Sequence, residues 1–489
     1  MLKEIKFTRY QLTLLITCYL YAYIFGVGNH LYFIFGFLEP TWACGTDTDF
    51  GNNCSLLESC RDNITFNSVF HSASIDFGIY CENAFIKPLI NSLQLISLLP
   101  GSVVCGFLSD SFGRKKISLV CYAGAIASSL VSSFATSWQF MAAFRCLCGL
   151  CMGGYIVSLK TLIVEEIAPE HRVFMRTVIN FYGGGRVVFA ICAYATRHWQ
   201  KLLWVIDSIS VPILFAIAFV AQESPRWLVQ KGRYSEAAAV LKKIAKFDGK
   251  TMDEAQLEKL KAETTEQKKQ YFYKDLFVTP ELRKRTALVS FLFFSLACLS
   301  YGMDIKTATL TDNIFLNVGL IGLCIALGKP ALFFVDTFVP GFNRKHLHQF
   351  SMGGSLICLI LITILSQISG IYAEIMLTVI TLIGMVIIEW VWDSVYLSAV
   401  EQFPTILRSQ SLGFSAISAR IGSSLAPFVV YLSHYWEPAP LVIFIFLGIL
   451  NFSGSFLFFQ DYKGHELPDN LKLESTKLPV EIDIKEDQT

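Results

Sequence analysis

The chain has 489 residues, of which 53% are hydrophobic and only 16% charged, and its mean hydropathy is +0.50. A soluble domain would be about a quarter charged, so this composition excludes an ordinary soluble protein. The formal net charge of +1 gives no sign of a nucleic-acid partner, and we expect none. Apolar runs of roughly 20 residues can each cross a hydrocarbon core about 30 Å thick, so the sequence predicts an integral protein of the lipid bilayer.

The apolar runs predict about twelve membrane-spanning helices. The first run follows a basic N-terminal tail and is too long for a signal peptide, so we predict that it is retained. The predicted spans are 11–37, 87–108, 117–135, 138–164, 174–196, 203–221, 286–303, 313–337, 349–369, 372–400, 406–432 and 438–459.

Polar segments divide these spans into predicted domains. A lysine-rich, helix-prone segment is too polar to span and separates the first six runs from the last six. The prediction is an N-terminal half at 1–221 containing an outer loop at 38–86, a cytoplasmic linker at 222–285, a C-terminal half at 286–460, and a cytoplasmic tail at 461–489.

Basic residues predict the orientation of the chain. The N-terminal tail, Arg114-Lys-Lys116, Arg172 with Arg176, the linker and Arg344-Lys345 all fall on one side, whereas loop 38–86 is mainly acidic. The basic side of a membrane protein is normally cytoplasmic. We therefore expect a multi-pass plasma-membrane protein with both termini in the cytoplasm.

The outer loop combines cysteines with glycosylation sequons. Both features are typical of an oxidising, extracellular or lumenal face. Four cysteines there predict two disulfides with three alternative pairings. A zinc site built from all four is a second interpretation, which the missing Cys-x-x-Cys spacing disfavours, so we expect no metal. The cysteines are Cys44, Cys54, Cys60 and Cys81, and the glycosylation candidates are Asn53 and Asn63.

A loop after the second predicted span carries a distinctive pattern, Gly106-Phe-Leu-Ser-Asp110-Ser-Phe-Gly113-Arg114-Lys115-Lys116. It is either an ordinary charged segment that ends a membrane span or a tight turn between two helices at the membrane surface. A partial copy, Pro340-Gly-Phe-Asn-Arg-Lys345, follows the eighth span. Glu165 to Arg172 after the fourth span likewise matches Glu401 to Arg408 after the tenth. These two pairs of matching motifs occur at equivalent loops of the first six and the last six spans. They indicate two duplicated six-helix halves, as in transporters.

With these motifs the chain resembles the major facilitator superfamily and, more narrowly, its organic cation, organic anion and carnitine transporter family. Glu223-Ser-Pro-Arg-Trp-Leu228 matches the E-S-P-R-W-L stretch of that family, and Asp275 to Arg285 and Lys463 to Pro468 resemble its entry to the seventh helix and its end of the twelfth. Departures include Ser111 in the first loop motif, Pro340 and Asn343 in the second, Gln222 before Glu223, and a short outer loop. The resemblance implies an all-α fold of twelve transmembrane helices in two six-helix halves.

The resemblance also implies a central cavity for an organic ion. A charge near the bilayer centre is costly and normally faces a partner or a wet cavity, so a structural salt bridge is the alternative for each. Arg420 falls where anion or carnitine members tend to carry an arginine, and the basic excess favours an organic anion. The candidate substrate-binding residues are Lys160, Tyr182, Phe293, Lys329, Asp393 and Arg420, with Arg186 as a further lone charge.

Charged residues near the predicted cytoplasmic helix ends are candidates for gating and structure. Such charges can pair across the halves and stabilise helix ends, and their breaking would accompany rocking around a central site. Two glycines would allow the turn and close approach. The candidates are Gly106, Asp110, Gly113, Arg114, Arg145, Glu165, Arg172, Glu401 and Arg408.

The sequence leaves several functions open. A carnitine-like zwitterion or an organic cation could replace the anion, a sugar porter shares the loop motifs, and a non-transporting receptor or scaffold is the alternative outside transport. No Asp or Glu occurs in the first span, which favours uniport or exchange over proton coupling. We expect no enzyme activity and no cofactor, because no catalytic grouping or phosphate-binding loop is present. We expect a monomer, with a weak oligomer as the alternative.

Overall fold

The computed structural model describes residues 8–44, 50–51, 54, 64–167, 182–251, 273–307, 313–338, 344–368, 370–404 and 407–458. Each of the twelve predicted spans overlaps a helix in these ranges. By length and composition, nine helices of the described residues could cross a membrane. The first span contributes a shorter apolar helix, Ile24–Gly36, and the fifth begins at the first described residue after the gap at 168–181.

The N-terminal half contains six helical spans. Helix α1, a π-helical turn (Leu15–Leu20) and helix α2 are consecutive and form the first span. A short helix α3 lies in the outer loop, and five longer helices follow. Their bounds are α1 (Arg9–Leu14), α2 (Tyr21–Gly36), α3 (Ala73–Asp76), α4 (Ile86–Phe112), α5 (Arg114–Ser132), α6 (Trp138–Glu166), α7 (Tyr182–Thr196) and α8 (Trp199–Phe219).

The linker and the C-terminal half complete the helices. The linker contributes two short helices, as its composition predicted, and the C-terminal half contributes six long ones. Their bounds are α9 (Pro225–Gln230), α10 (Tyr234–Phe247), α11 (Pro280–Thr307), α12 (Ile314–Phe338), α13 (Arg344–Leu365), α14 (Ile371–Glu401), α15 (Arg408–Tyr431) and α16 (Ala439–Phe458).

The outer loop contains a small sheet that the all-α prediction did not include. Strands β1 (Thr41–Cys44) and β2 (Ile64–Asn67) pair antiparallel, with Thr41 opposite Asn67 and Cys44 opposite Ile64. A disulfide joins Cys54 to Cys81. This bond belongs to one of the three alternative pairings, whose second disulfide, between Cys44 and Cys60, stays a prediction because the side chain of Cys44 is not described. Cys60, Asn53 and Asn63 lie outside the described residues.

The two halves have separate apolar cores and pack against each other through several helix pairs. One core is built mainly from α1–α8 and the other from α11–α16. Helix α4 packs on α15, α7 on α12, and α2 on α11. A Cβ on Gly183 would lie 2.5 Å from the carbonyl oxygen of Gly322, so α7 and α12 need glycine where they cross. A cavity lined by residues of both halves lies between these helices.

Candidate functional site

A cavity of about 300 Å³ lies between the two halves. Helices α2, α4, α6 and α7 contribute residues from one half, and α11 and α15 from the other. This volume is at the small end of the usual range for ligand sites, about 300–1,000 Å³. The lining residues are Gly26, Val27, His30, Leu98, Met152, Tyr155, Ile156, Leu159, Lys160, Tyr182, Tyr301 and Arg420.

Two cations line this cavity from opposite halves. Lys160 lies on α6, and its ammonium lies 5.5 Å from the ring centre of Tyr396 on α14. Arg420 lies on α15 and interacts electrostatically with His30 and Tyr301. Among the described residues, no carboxylate lies within ion-pair distance of Lys160 or Arg420. The cavity wall therefore carries positive charge that a bound anion could neutralise.

Aromatic side chains form most of the remaining polar wall. The His30 and Tyr301 rings meet edge to face with centroids 4.4 Å apart, which joins α2 to α11. Tyr155 packs against Phe25 and Tyr122 in the N-terminal half. Aromatic faces provide contact area for the apolar body of an organic ion, and their hydroxyl groups provide hydrogen bonds. The cavity thus combines two cations with stacking surfaces.

A buried ion pair also joins the halves beside the cavity. The Arg186 guanidinium on α7 contacts the Asp304 carboxylate on α11, and the two residues are 0% and 5% exposed. The hydroxyl of Tyr182 donates to the second carboxylate oxygen of Asp304 at 3.1 Å. Tyr182, which lines the cavity as expected, is therefore also a link between α7 and α11.

Three of the six predicted substrate-binding residues are absent from the cavity wall. The ammonium of Lys329 lies 2.7 Å from Glu389 and 3.8 Å from Asp393, and all three residues are buried. Phe293 is buried against Trp392, at 6.2 Å between ring centres. Lys329, Asp393 and Phe293 thus belong to the C-terminal core rather than to the cavity. For Lys329, the alternative of a structural salt bridge fits the structure.

The loop after the second span is a turn at Gly113. Helix α4 continues through Asp110 to Phe112, so Gly106 is helical and does not form the turn, contrary to the prediction; a Cβ there would meet Val157 at an ordinary 3.7 Å. Gly113 has φ +117°, which strongly favours glycine. A Cβ at this position would also lie 2.6 Å from the Glu223 carboxylate. The close approach is therefore between the turn and the linker.

Charged residues bind this turn to its neighbours. Arg114 lies 2.7 Å from Glu165 at the end of α6 and 3.1 Å from Asp110. Glu223 accepts hydrogen bonds from the backbone N–H groups of Arg114 and Lys115, the first residues of α5, at 2.9 and 3.1 Å. These contacts all lie within the N-terminal half and its linker, whereas the prediction included pairs across the halves.

Arg145 lies at the opposite end of α6 from Glu165, not at the predicted cytoplasmic helix end. It is fully buried, and its guanidinium donates to the side-chain and backbone oxygens of Asn29 at 2.8 and 2.9 Å. Arg145 therefore attaches α6 to α2. Arg408 donates to the nearby Phe403 carbonyl at 3.4 Å. Arg172 lies outside the described residues, and the side chain of Glu401 is not described.

Sequence reasoning missed several residues of the site. Asp304 lies one residue beyond the predicted end of the seventh span, whereas α11 extends to Thr307. Glu389 precedes Asp393 by one helical turn, and this spacing could have identified the pair. His30, Tyr155 and Tyr301 resemble any other polar aromatic residue of a span, so the sequence offered no signal for them.

Comparison with known families identifies one match that covers most of the chain. The family described as "Sugar (and other) transporter" matches residues 67–465. The helices also superpose on solved transporters. The partially occluded inward-open xylose transporter XylE from E. coli gives a TM-score of 0.66 at 17% identity, covering 94% of this chain and all of that one. A likeness at this identity bears on the fold alone.

Similar sequences extend along most of the chain. An uncharacterized Caenorhabditis elegans protein is 33% identical over 407 residues, covering 81% of this chain and 80% of its own length. Organic anion transporter 3 of Oryctolagus cuniculus is 28% identical, covering 87% and 79%. Organic cation/carnitine transporter 2 of Homo sapiens is 27% identical, covering 89% and 76%. The two named relatives are about equally similar, so identity alone does not discriminate between substrate charges.

Proposed function

The chain belongs to the Sugar (and other) transporter family and has the major facilitator fold, and we propose that it carries small organic anions through a membrane by alternating access. In this mechanism two six-helix halves rock around a central site, which opens to one side of the membrane at a time. The relatives whose names refer to organic ions support this substrate class. Uniport and exchange are both compatible with the proposal.

The observation that carries the proposal is the pair of cations on the cavity wall. Lys160 and Arg420 come from opposite halves, and the carboxylates described nearby are already engaged with Arg186 and Lys329. A cation inside a membrane protein normally faces a partner or a water-filled cavity, and an anion that reaches Lys160 and Arg420 would supply their counter-ion. The tyrosines supply contact area for its organic body.

Two other substrates remain as alternatives. A carnitine-like zwitterion would need a carboxylate for its cationic group, and the described lining residues include none. The absence of a carboxylate among the described lining residues also disfavours an organic cation. Cation–π contacts with the lining tyrosines are the feature that favours a cation. A sugar would need neutral hydrogen-bonding groups, and two cations are poorly suited to an uncharged ligand. The anion is therefore the first candidate.

The remaining assignments belong to this proposal. We propose the plasma membrane as the location, with both termini in the cytoplasm, because the outer loop has a disulfide and the linker is basic. The division at 1–221, 222–285 and 286–460 is supported by the two separate apolar cores. A monomer suffices, since the cavity lies within one chain.

Uptake of a labelled panel into vesicles containing the full chain tests the proposal. The panel comprises an aromatic monosulfonate, a quaternary ammonium ion, a carnitine-like betaine and xylose, and vesicles without the protein provide the background. We expect protein-dependent uptake of the sulfonate above the other three. If the correctly inserted protein carries none of the four, the transport proposal is wrong. Preferential uptake of the ammonium ion or xylose overturns the anion assignment alone.

A further inference from the structure

Three cavities follow one another between the two halves. The central cavity shares His30 and Tyr301 with a constriction of about 20 Å³. The constriction shares Phe33, Asn91 and Ile305 with a wider vestibule of about 520 Å³ on the side of the outer loop. These shared walls define a path from the vestibule to the central cavity, which is narrowest at the constriction.

Asp304 lines this constriction and forms an ion pair with Arg186 behind its wall. The pair joins α7 of one half to α11 of the other, so moving the halves apart at this point requires the two side chains to separate. Arg186 is fully buried, yet its Nε and one terminal nitrogen have no hydrogen-bond acceptor among the described residues. The guanidinium therefore has donors available for a further oxygen ligand.

Separating this ion pair would leave two opposite charges uncompensated inside the membrane, which is strongly unfavourable. A proton bound to Asp304 removes one charge, and an anionic substrate at Arg186 compensates the other. We propose, building on the proposed function, that anion transport by this protein is coupled to a proton carried on Asp304. The absence of an acid in the first span had favoured uncoupled transport, but Asp304 in the seventh span supplies one.

The step balances in charge and in protons. A proton from the vestibule binds the Asp304 carboxylate, and Arg186 exchanges Asp304 for the acidic group of the substrate, which Lys160 and Arg420 also attract into the central cavity. After the halves rock, the substrate leaves, the proton is released to the opposite side, and Arg186 pairs with Asp304 again. One proton and one monoanion move together, so each cycle transfers no net charge.

Other charged and titratable groups surround Asp304 or the groups that contact it, so the experiment must distinguish Asp304 from them. Helix α7 contributes two, and α2, α11, α14 and α15 contribute one each. They are Arg186, Tyr182, His30, Tyr301, Glu389 and Arg420.

Reconstituted wild-type protein gives the first test. The probe is the panel's aromatic monosulfonate, which stays anionic at the pH values used and so cannot cross the bilayer as a neutral acid. With an inward gradient of one pH unit, we expect accumulation approaching about tenfold, because a tenfold proton ratio can drive at most a tenfold anion ratio at one-to-one coupling. An inside-negative potential should leave the rate unchanged. Uptake that ignores the pH gradient, or that slows with the potential, overturns the coupling.

A variant assigns the coupling to Asp304. The measured quantity is the ratio of uptake with and without the gradient, which is independent of how much active protein is present. We expect a ratio near one for Asp304→Asn and recovery of the wild-type ratio in Asp304→Glu. Asp207→Asn is the matched control, since Asp207 is equally buried on α8 but outside the path. A gradient response in Asp304→Asn, or its loss in Asp207→Asn, overturns the assignment.

The two proposals fail in different ways. If the sulfonate is not transported under any condition, the proposed function is wrong and the coupling falls with it. If it is transported without a gradient response, only the coupling is wrong. If Asp304→Asn does not fold, the wild-type gradient and potential measurements still decide whether coupling exists, and the ratio in Asp304→Ser, a smaller neutral replacement, decides the residue.

Discussion

The carboxylate of Glu223 accepts a hydrogen bond from the backbone N–H of Arg114 at 2.9 Å, across 109 residues of sequence. The linker thereby caps the first turn of α5, where the backbone N–H groups have no partner within the helix. A negative charge at a helix N-terminus is also favoured by the helix dipole. Trp227 strengthens the contact, because its indole N–H donates to the Asp110 carbonyl at 2.9 Å. This links the E-S-P-R-W-L stretch to the Gly113 turn.

Removing the Glu223 cap should destabilise the N-terminal half. We expect Glu223→Ala to lower the free energy of unfolding by about 1–2 kcal/mol, the range found for lost helix caps. Thermal unfolding of purified protein in detergent measures the effect. Glu236→Ala is the matched control, because Glu236 is exposed and pairs with Arg233 at the surface. Equal unfolding temperatures for the two variants would contradict the capping role.

The buried cluster around Lys329 predicts a larger loss of stability. Lys329→Met leaves Glu389 and Asp393 buried without their cation, and breaking one side of such a cluster costs about 3–5 kcal/mol. Unfolding measured against Lys201→Met, at an exposed lysine on α8, isolates the effect of burial. A stability close to that of the control would mean that Lys329 has no structural role.

The vestibule predicts a dependence of stability on acid. Lys87, 3.3 Å away, holds the pKa of Glu39 below its ordinary value of 4.5. A depressed folded-state pKa contributes stability above the unfolded value, and this contribution is lost as the pH falls from 4.5 through the folded-state pKa. We expect Lys87→Gln to be less stable than wild type at pH 7, with the difference shrinking below pH 4.5. Since Glu39 is largely exposed, the effect should be small and reduced by salt.

Unfolding curves at several pH values measure this contribution. The same series in a Glu39→Gln background is the control, because the glutamine cannot titrate. A difference between wild type and Lys87→Gln that is constant from pH 7 to pH 3 would contradict the assignment.

The helices could be predicted from the sequence because each span has to be apolar over its full length. The roles of residues inside the helix bundle could not be predicted, since these roles depend on neighbours that are distant in sequence. Lys329 and Arg420 look alike as lone cations in apolar runs. Only packing shows that Lys329 meets Glu389 whereas Arg420 faces the cavity. Asp304 was missed because the predicted span ended at residue 303, whereas the helix continues to Thr307.

Partial motif copies predicted the duplication but not the contacts of each copy. In the first loop, Gly113 forms the turn, and Arg114 pairs with Glu165 within the N-terminal half. Arg145 was included among the predicted gating residues because of its charge alone. Its position near the start of α6 places it instead against Asn29.

Anion uptake by Arg420→Asp tests the central claim most directly. Reversing this charge should reduce uptake of the aromatic monosulfonate by tenfold or more, about 1.4 kcal/mol of lost binding, because the cavity then repels the acidic group. Uptake of the quaternary ammonium ion should be unchanged or higher. Lys201→Asp, on the exposed surface of α8, should match wild type. If Arg420→Asp takes up the sulfonate at the wild-type rate and with wild-type selectivity, the cavity between Lys160 and Arg420 is not the anion site.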